Sequence, residues 1–221
     1  MARHSNSGIR FRLVALVVVP CLIAAGPPAD APLADAAEKA DWPRVRTLLK
    51  GRADANAAQV DGMTALHWAA YHDNLDTAKL LLAAGASAKT ANRYGVAPLS
   101  LACTNGNADL VRALLAAGAD PNTASRGGET ALMTAARTGR VGPVGALLDA
   151  GAKVDAADRK GQTALMWAAA DGHAAVAELL IGSGADVGAR LKSGFTPMFF
   201  AAREGRVEVV RALLKAGVDA N

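Results

Sequence analysis

Apolar side chains along residues 32–221 follow a helical period that restarts at a fixed interval. In Ala108-Asp-Leu-Val-Arg-Ala-Leu-Leu115, Val111, Leu114 and Leu115 sit three and four apart, which predicts a helix with one buried face. The same trio recurs as Val45, Leu48 and Leu49, as Val144, Leu147 and Leu148, and as Val210, Leu213 and Leu214. Ahead of these helices lie shorter segments built on small residues. Thr64-Ala-Leu-His-Trp-Ala-Ala70, Ala97-Pro-Leu-Ser-Leu-Ala-Cys103, Thr130-Ala-Leu-Met-Thr-Ala-Ala136, Thr163-Ala-Leu-Met-Trp-Ala-Ala169 and Thr196-Pro-Met-Phe-Phe-Ala-Ala202 are spaced 33 residues apart, and a weaker copy is Ala31-Pro-Leu-Ala-Asp-Ala-Ala37. Such a period predicts stacked helical units, none of which can bury its apolar face alone.

The punctuation of each unit agrees. Thr at the phrase start can accept an orphan backbone N–H, and Pro32, Pro98 and Pro197 follow where a missing N–H costs nothing. Gly106, Gly139, Gly172 and Gly205 end the first helices, and Gly85, Gly118, Gly151, Gly184 and Gly217 close the second. A polar turn such as Ala119-Asp-Pro-Asn122 then leads through an extended stretch to the next phrase. Paired alanines let neighbouring first helices approach closely, while paired leucines fill the seam behind. The predicted fold is all-α, an α-solenoid of six helix–turn–helix repeats. The repeats divide as 27–61 (an N-terminal capping unit), 62–94, 95–127, 128–160, 161–193 and 194–221.

Some units depart from the pattern. The first lacks the extended stretch that leads to the other phrases and opens with polar Asp35, Glu38 and Lys39, as an end cap should. Arg52 takes its usual Gly position, with Gly51 one place early, and Asp73 replaces the inter-helix Gly of the second unit. Pro43 and Pro143 fall in the first turn of second helices and should be tolerated. The last unit carries Val207, Val209 and Val210 with no polar replacement.

Residues 1–26 read as an address. Arg3, Arg10 and Arg12 precede an apolar run over residues 13–25, interrupted by Pro20 and followed by Gly26-Pro27-Pro28-Ala29. That is the layout of a secretory signal peptide, and the run is short for a membrane span. The expectation is export to the periplasm of a bacterium or beyond, with no stable membrane insertion after signal removal. An uncleaved anchor, or lipidation at Cys21, is the competing reading.

Composition adds little. Apolar residues make up 52% but aromatics only 4%, which suits thin, closely stacked helices. The formal charge of +4 depends on the leader: without its three arginines, 21 basic side chains face 20 acidic ones. A balance near zero, with export, speaks against nucleic acid as a partner.

Candidate chemistry is sparse. The slot of His67 holds Ser100, Met133, Met166 and Phe199 elsewhere, so no metal series exists, and the histidine reads as structural. His72 and His173 fall at solvent-facing helix ends without visible partners. Cys103 stands where other copies have Ala and reads as a buried filler. Neither a Ser-His-Asp nor a Cys-His arrangement is visible, and Gly182-Ser183-Gly184 closes a helix instead of opening one, so its dipole is wrong for an anion. The expectation is a protein without catalysis, cofactor or metal. Trp68, Trp167 and Phe200 share the fifth phrase position and read as padding of the first-helix layer, or as contact anchors if partly exposed.

The phrase Thr64–Ala70, the run Gly118-Ala-Asp-Pro-Asn122 and the 33-residue step resemble ankyrin repeats, over about residues 29–221. The resemblance implies an α-solenoid of helix pairs with short β-hairpin-like fingers set roughly at right angles, and protein–protein binding through finger tips and inner first helices. Mapped by register, the tips carry Asp61 and Met63, Arg93 and Tyr94, Arg126 and Glu129, Arg159 and Lys160, then Lys192 and Phe195. The inner-helix ends supply Tyr71, His72, Asn105, Arg137, Asp171, Arg203 and Glu204. The middle tips form a basic row with Tyr94 beside it, which implies a protein partner with an acidic surface, met by a monomeric scaffold. A competing reading is an adaptor segment of a longer enzyme or toxin.

Overall fold

The computed structural model describes residues 30–218. Twelve helices pair along the described chain: α1 (Pro32–Glu38) with α2 (Trp42–Lys50), α3 (Ala65–Tyr71) with α4 (Leu75–Ala83), and α5 (Pro98–Asn105) with α6 (Ala108–Ala116). Next come α7 (Ala131–Thr138) with α8 (Val141–Asp149), α9 (Ala164–Asp171) with α10 (Ala174–Gly182), and α11 (Pro197–Arg203) with α12 (Val207–Lys215). Odd-numbered helices stack on one another to form an inner column, and even-numbered helices form an outer one behind it. The chain is therefore a helical solenoid. Interior packing is continuous from unit to unit: Leu33, Leu66, Leu99, Leu132 and Leu165 occupy one register position and are all fully buried. Each contributes about 1.5–3 kcal/mol by leaving water, and does so only because a neighbouring unit covers it.

Local chemistry sets the helix ends. The hydroxyls of Thr130, Thr163 and Thr196 accept the backbone N–H of Met133, Met166 and Phe199 at 3.3, 3.4 and 3.2 Å. Pro43 and Pro143 are accommodated within the first turns of α2 and α8. Gly139 ends α7 with φ +72°, and a Cβ there would lie 2.4 Å from the His173 ring, so both the dihedral and the space call for glycine. In the first two units Ala40, Arg52 and Asp73 take up the left-handed conformation at φ +54°, +57° and +55°. Gly51 lies at φ −77° and has no need of its glycine.

Five hairpin turns project between the helix pairs, at residues 59–63, 92–96, 125–129, 158–162 and 191–195. In each, the N–H of the first residue donates to the C=O of the fifth, at 2.9–3.0 Å, and the N–H of the fourth, a glycine, donates back to the first. The first four fingers are linked by main chain: Arg93 N–H to Asp61 C=O at 2.9 Å, Arg126 to Tyr94 at 3.1 Å, Arg159 to Gly127 at 3.1 Å. These bonds space the tips by backbone geometry.

At the last unit the register residue Phe199 is 42% exposed and Val207 57% exposed, whereas the equivalents His67, Met133 and Met166 of Phe199 are buried. Of the three valines expected to be uncovered, Val209 is in the core, because its side of α12 packs inward, and Val210 is half-buried.

Candidate functional site

The finger tips and inner-helix ends separate into outward and inward residues. Arg93, Tyr94, Arg126, Arg159, Lys160 and Lys192 are exposed, Tyr94 at 57%. Met63, Glu129 and Phe195, one place before the phrase, instead turn down onto the inner helices. Met63 is only 7% exposed, and its sulfur accepts from Asn92 Nδ2 at 3.4 Å, so it is a core residue and not a tip. Phe195 is half-buried and stacks on Phe199 with ring centroids 4.1 Å apart. Glu129 is half-buried, 3.6 Å from Arg137, and accepts from the Thr134 hydroxyl. The returning arm of a hairpin faces the helices while the tip faces solvent, which the linear register does not distinguish. Asp61 is half-buried, its carboxylate accepting the Met63 N–H at 3.0 Å.

Arg93 differs from the other tip arginines. Its guanidinium folds back onto the carbonyl of Val60 in the preceding finger. Arg126, Arg159, Lys160 and Lys192 take no part in the four ion pairs present among the described residues, which are Asp109–Arg112, Glu129–Arg137, Arg203–Glu204 and Glu208–Arg211. These finger cations therefore present charge without an ion-pair partner, and the fingers that carry Arg126, Arg159 and Lys160 are fixed by the main chain. On the helix side, Arg137 lies over the Trp167 ring at 5.5 Å and Arg203 over Phe200 at 5.5 Å. Trp68 and Trp167 are half-buried and Phe200 is buried, so the two indoles keep some surface for a contact while Phe200 is packing. Tyr71 is exposed and packs edge-on against Trp68, with centroids 5.6 Å apart. Asp171, Arg203 and Glu204 are exposed, and the last two pair with each other at 2.8 Å.

His72, His173 and Asn105 have partners that the sequence does not reveal. The last carbonyls of a helix lack intrahelical donors. His72 Nε2 lies 3.0 Å from the Glu38 carbonyl and His173 Nε2 2.9 Å from that of Arg137; Asn105 Nδ2 donates to Ala70 and Tyr71, and Arg206 Nε to Ala170. The second, third, fifth and sixth units thus each cap the inner helix before them. These side chains are staples first, and His72 and Asn105 present only their remaining surface to a partner.

His67 is fully buried. The Thr64 N–H donates to its Nδ1 at 3.2 Å, which makes Nδ1 the bare nitrogen and places the proton on Nε2, 3.1 Å from the Val96 carbonyl of the next finger. Burial lowers its pKa to about 4, with Val96 and Asp61 opposing. This neutral ring is a brace, as its slot implies. Cys103 is buried and desolvation raises its thiol to about 12, so it remains an un-ionised filler.

Among the described residues no group of three or more His, Cys, Asp or Glu could hold a metal ion, and no helix is long and apolar enough to cross a membrane. An open cleft of about 580 Å³ at the last unit is lined by Val187, Arg190, Met198, Phe199 and Val218, among others, without a convergent acid–base pair. The proposed leader, residues 1–26 with Cys21, lies outside the described residues. No curated protein matches the chain. The family model for ankyrin repeats, described as three copies, matches residues 33–125, 123–191 and 158–221. Those matches, with the twelve stacked helices and five bonded fingers, place the chain in the ankyrin-repeat family, whose members generally serve as protein–protein interaction modules.

Proposed function

We propose that the protein is a non-catalytic scaffold that docks a partner protein against its finger tips and inner-helix ends. The observation that supports this reading is the row of uncompensated cations, Arg126, Arg159, Lys160 and Lys192, on fingers of which the first four are joined by backbone hydrogen bonds. Tips held in place before binding lose little conformational freedom on docking, and exposed Tyr71 and Tyr94 add area at low entropic cost. The partner presents an acidic surface, and the scaffold meets it as a monomer. Binding is tested by capture on immobilised mature chain alongside an Arg126→Glu/Arg159→Glu variant. A protein retained by the first and released by the second supports the assigned face; equal retention removes it.

The same reading includes export. The basic start and the apolar run over residues 13–25 direct the chain to the periplasm or outside the cell, where the folded repeats work after the leader is removed. Fractionation of expressing bacteria, with N-terminal sequencing of the mature chain, tests this: recovery in the cytoplasm with Met1 intact rejects it.

A further inference from the structure

We infer that the last finger, residues 191–195, is a hinged element set apart from four rigid ones, and that Leu191 sets it free. Three observations meet there. The first is the main-chain ladder. Arg93, Arg126 and Arg159 each donate an N–H to the preceding finger, but the next member, Lys192 N–H to Lys160 C=O, is not made, and both residues are exposed to water.

The second is the spacing of the fingers. A Cβ on Gly62, Gly95 or Gly128 would meet backbone of the following finger at 3.0–3.2 Å. At Gly161 the only neighbour within 4 Å is the Leu191 side chain, at 3.4 Å. Leu191 fills the place where the other fingers bring main chain, and it packs on the core while doing so.

The third is the turn itself. Asn92 Oδ1 accepts from Tyr94 and Val96, Ser125 Oγ from Gly127, Asp158 Oδ1 from Lys160 and Gln162, and in the first finger Asp61 Oδ1 accepts from Met63. In the register of Asn92, Ser125 and Asp158 leucine has no acceptor to offer, so the Lys192 and Ser193 N–H groups are left to water. The root of the finger stays anchored through the Phe195–Phe199 stack, and residues 192–194 pivot about it. Four fingers then fix the spacing of a docking surface, and the fifth adjusts Lys192 to the end of whatever lies there. That consequence rests on the binding role proposed above; the hinge does not, and it is measured without a partner.

The measurement is amide hydrogen exchange by NMR on the full chain. The Lys192 amide should exchange at least about ten-fold faster than those of Arg93, Arg126 and Arg159, since it lacks the bond that protects them. Leu191→Asn supplies the missing turn acceptor and should slow Lys192. Asn92→Leu, the reverse change in an otherwise bonded finger, should speed Arg93. Protection of Lys192 equal to the other three in the unaltered chain overturns the inference, even if neither variant folds. Exchange at Arg93 unaltered by Asn92→Leu overturns the role given to Leu191.

Discussion

The Nε2 of His67 lies 3.1 Å from the carbonyl oxygen of Val96, so a ring at the start of one inner helix holds the finger of the next repeat. Charging that ring would put a proton on Nδ1, where the Thr64 N–H already points, and would leave a cation in the core.

The pH dependence of stability follows. The folded pKa of about 4 lies below the unfolded value near 6.5, so the unfolded chain takes up a proton that the folded one refuses. Stability from this group is complete above pH 6.5 and falls as the pH drops towards 4, by roughly 3 kcal/mol over the window. His67→Met copies the buried methionines at 133 and 166 and should flatten this part of the profile. Urea unfolding of both chains between pH 7.5 and 4.5 is the check; parallel profiles would remove His67 as the cause.

Two glycine positions should respond oppositely to alanine. Gly139→Ala forces φ +72° on a side chain and drives its Cβ into His173, so a loss of at least about 2 kcal/mol is expected. Gly182, at the end of α10, has nothing within 4 Å of its would-be Cβ, and Gly182→Ala should gain up to about 1 kcal/mol. Thermal melts of the two variants settle the sign of each.

Ala40 poses the reverse case. Its left-handed φ costs roughly 1–2 kcal/mol, and glycine would relieve it while adding about 0.4–1 kcal/mol of unfolded-chain entropy. Ala40→Gly should therefore stabilise by up to about 1 kcal/mol, seen as a higher denaturant midpoint with unchanged slope.

Gln59 binds the first repeat to the second. Its amide donates to Asp35 at 2.9 Å and Glu38 at 2.8 Å and accepts from the Trp68 indole at 2.7 Å. Gln59→Ala should cost about 1–3 kcal/mol. The loss should be local, because each repeat touches only its neighbours: exchange in α1 and α2 should quicken while α9 and α10 keep their protection. Uniform loosening along the chain would contradict a nearest-neighbour solenoid.

Register alone was enough for much of the molecule. A histidine in the fourth phrase position, a small Cys103 among alanines, and Arg52 and Asp73 in glycine slots could each be assigned by counting 33 residues. Counting failed where a side chain answers to another repeat. Met63 and Arg126 both sit near a finger tip, yet one lies in the core and the other in water. His173 reads as an idle surface residue until the carbonyl of Arg137, 36 residues earlier, is brought beneath it. Arg93 and Arg159 are interchangeable in the alignment of units, and only the fold bends Arg93 back onto Val60.

The sequence by itself determined the helix pairs, their period and their buried leucines, because local propensity and apolar spacing are properties of consecutive residues. Only the tertiary structure decided which polar atoms meet between repeats, which finger cations stay unpaired, and where the ladder of fingers breaks at Leu191. Those contacts join residues about 30 positions apart, and their geometry exists only once two repeats have stacked.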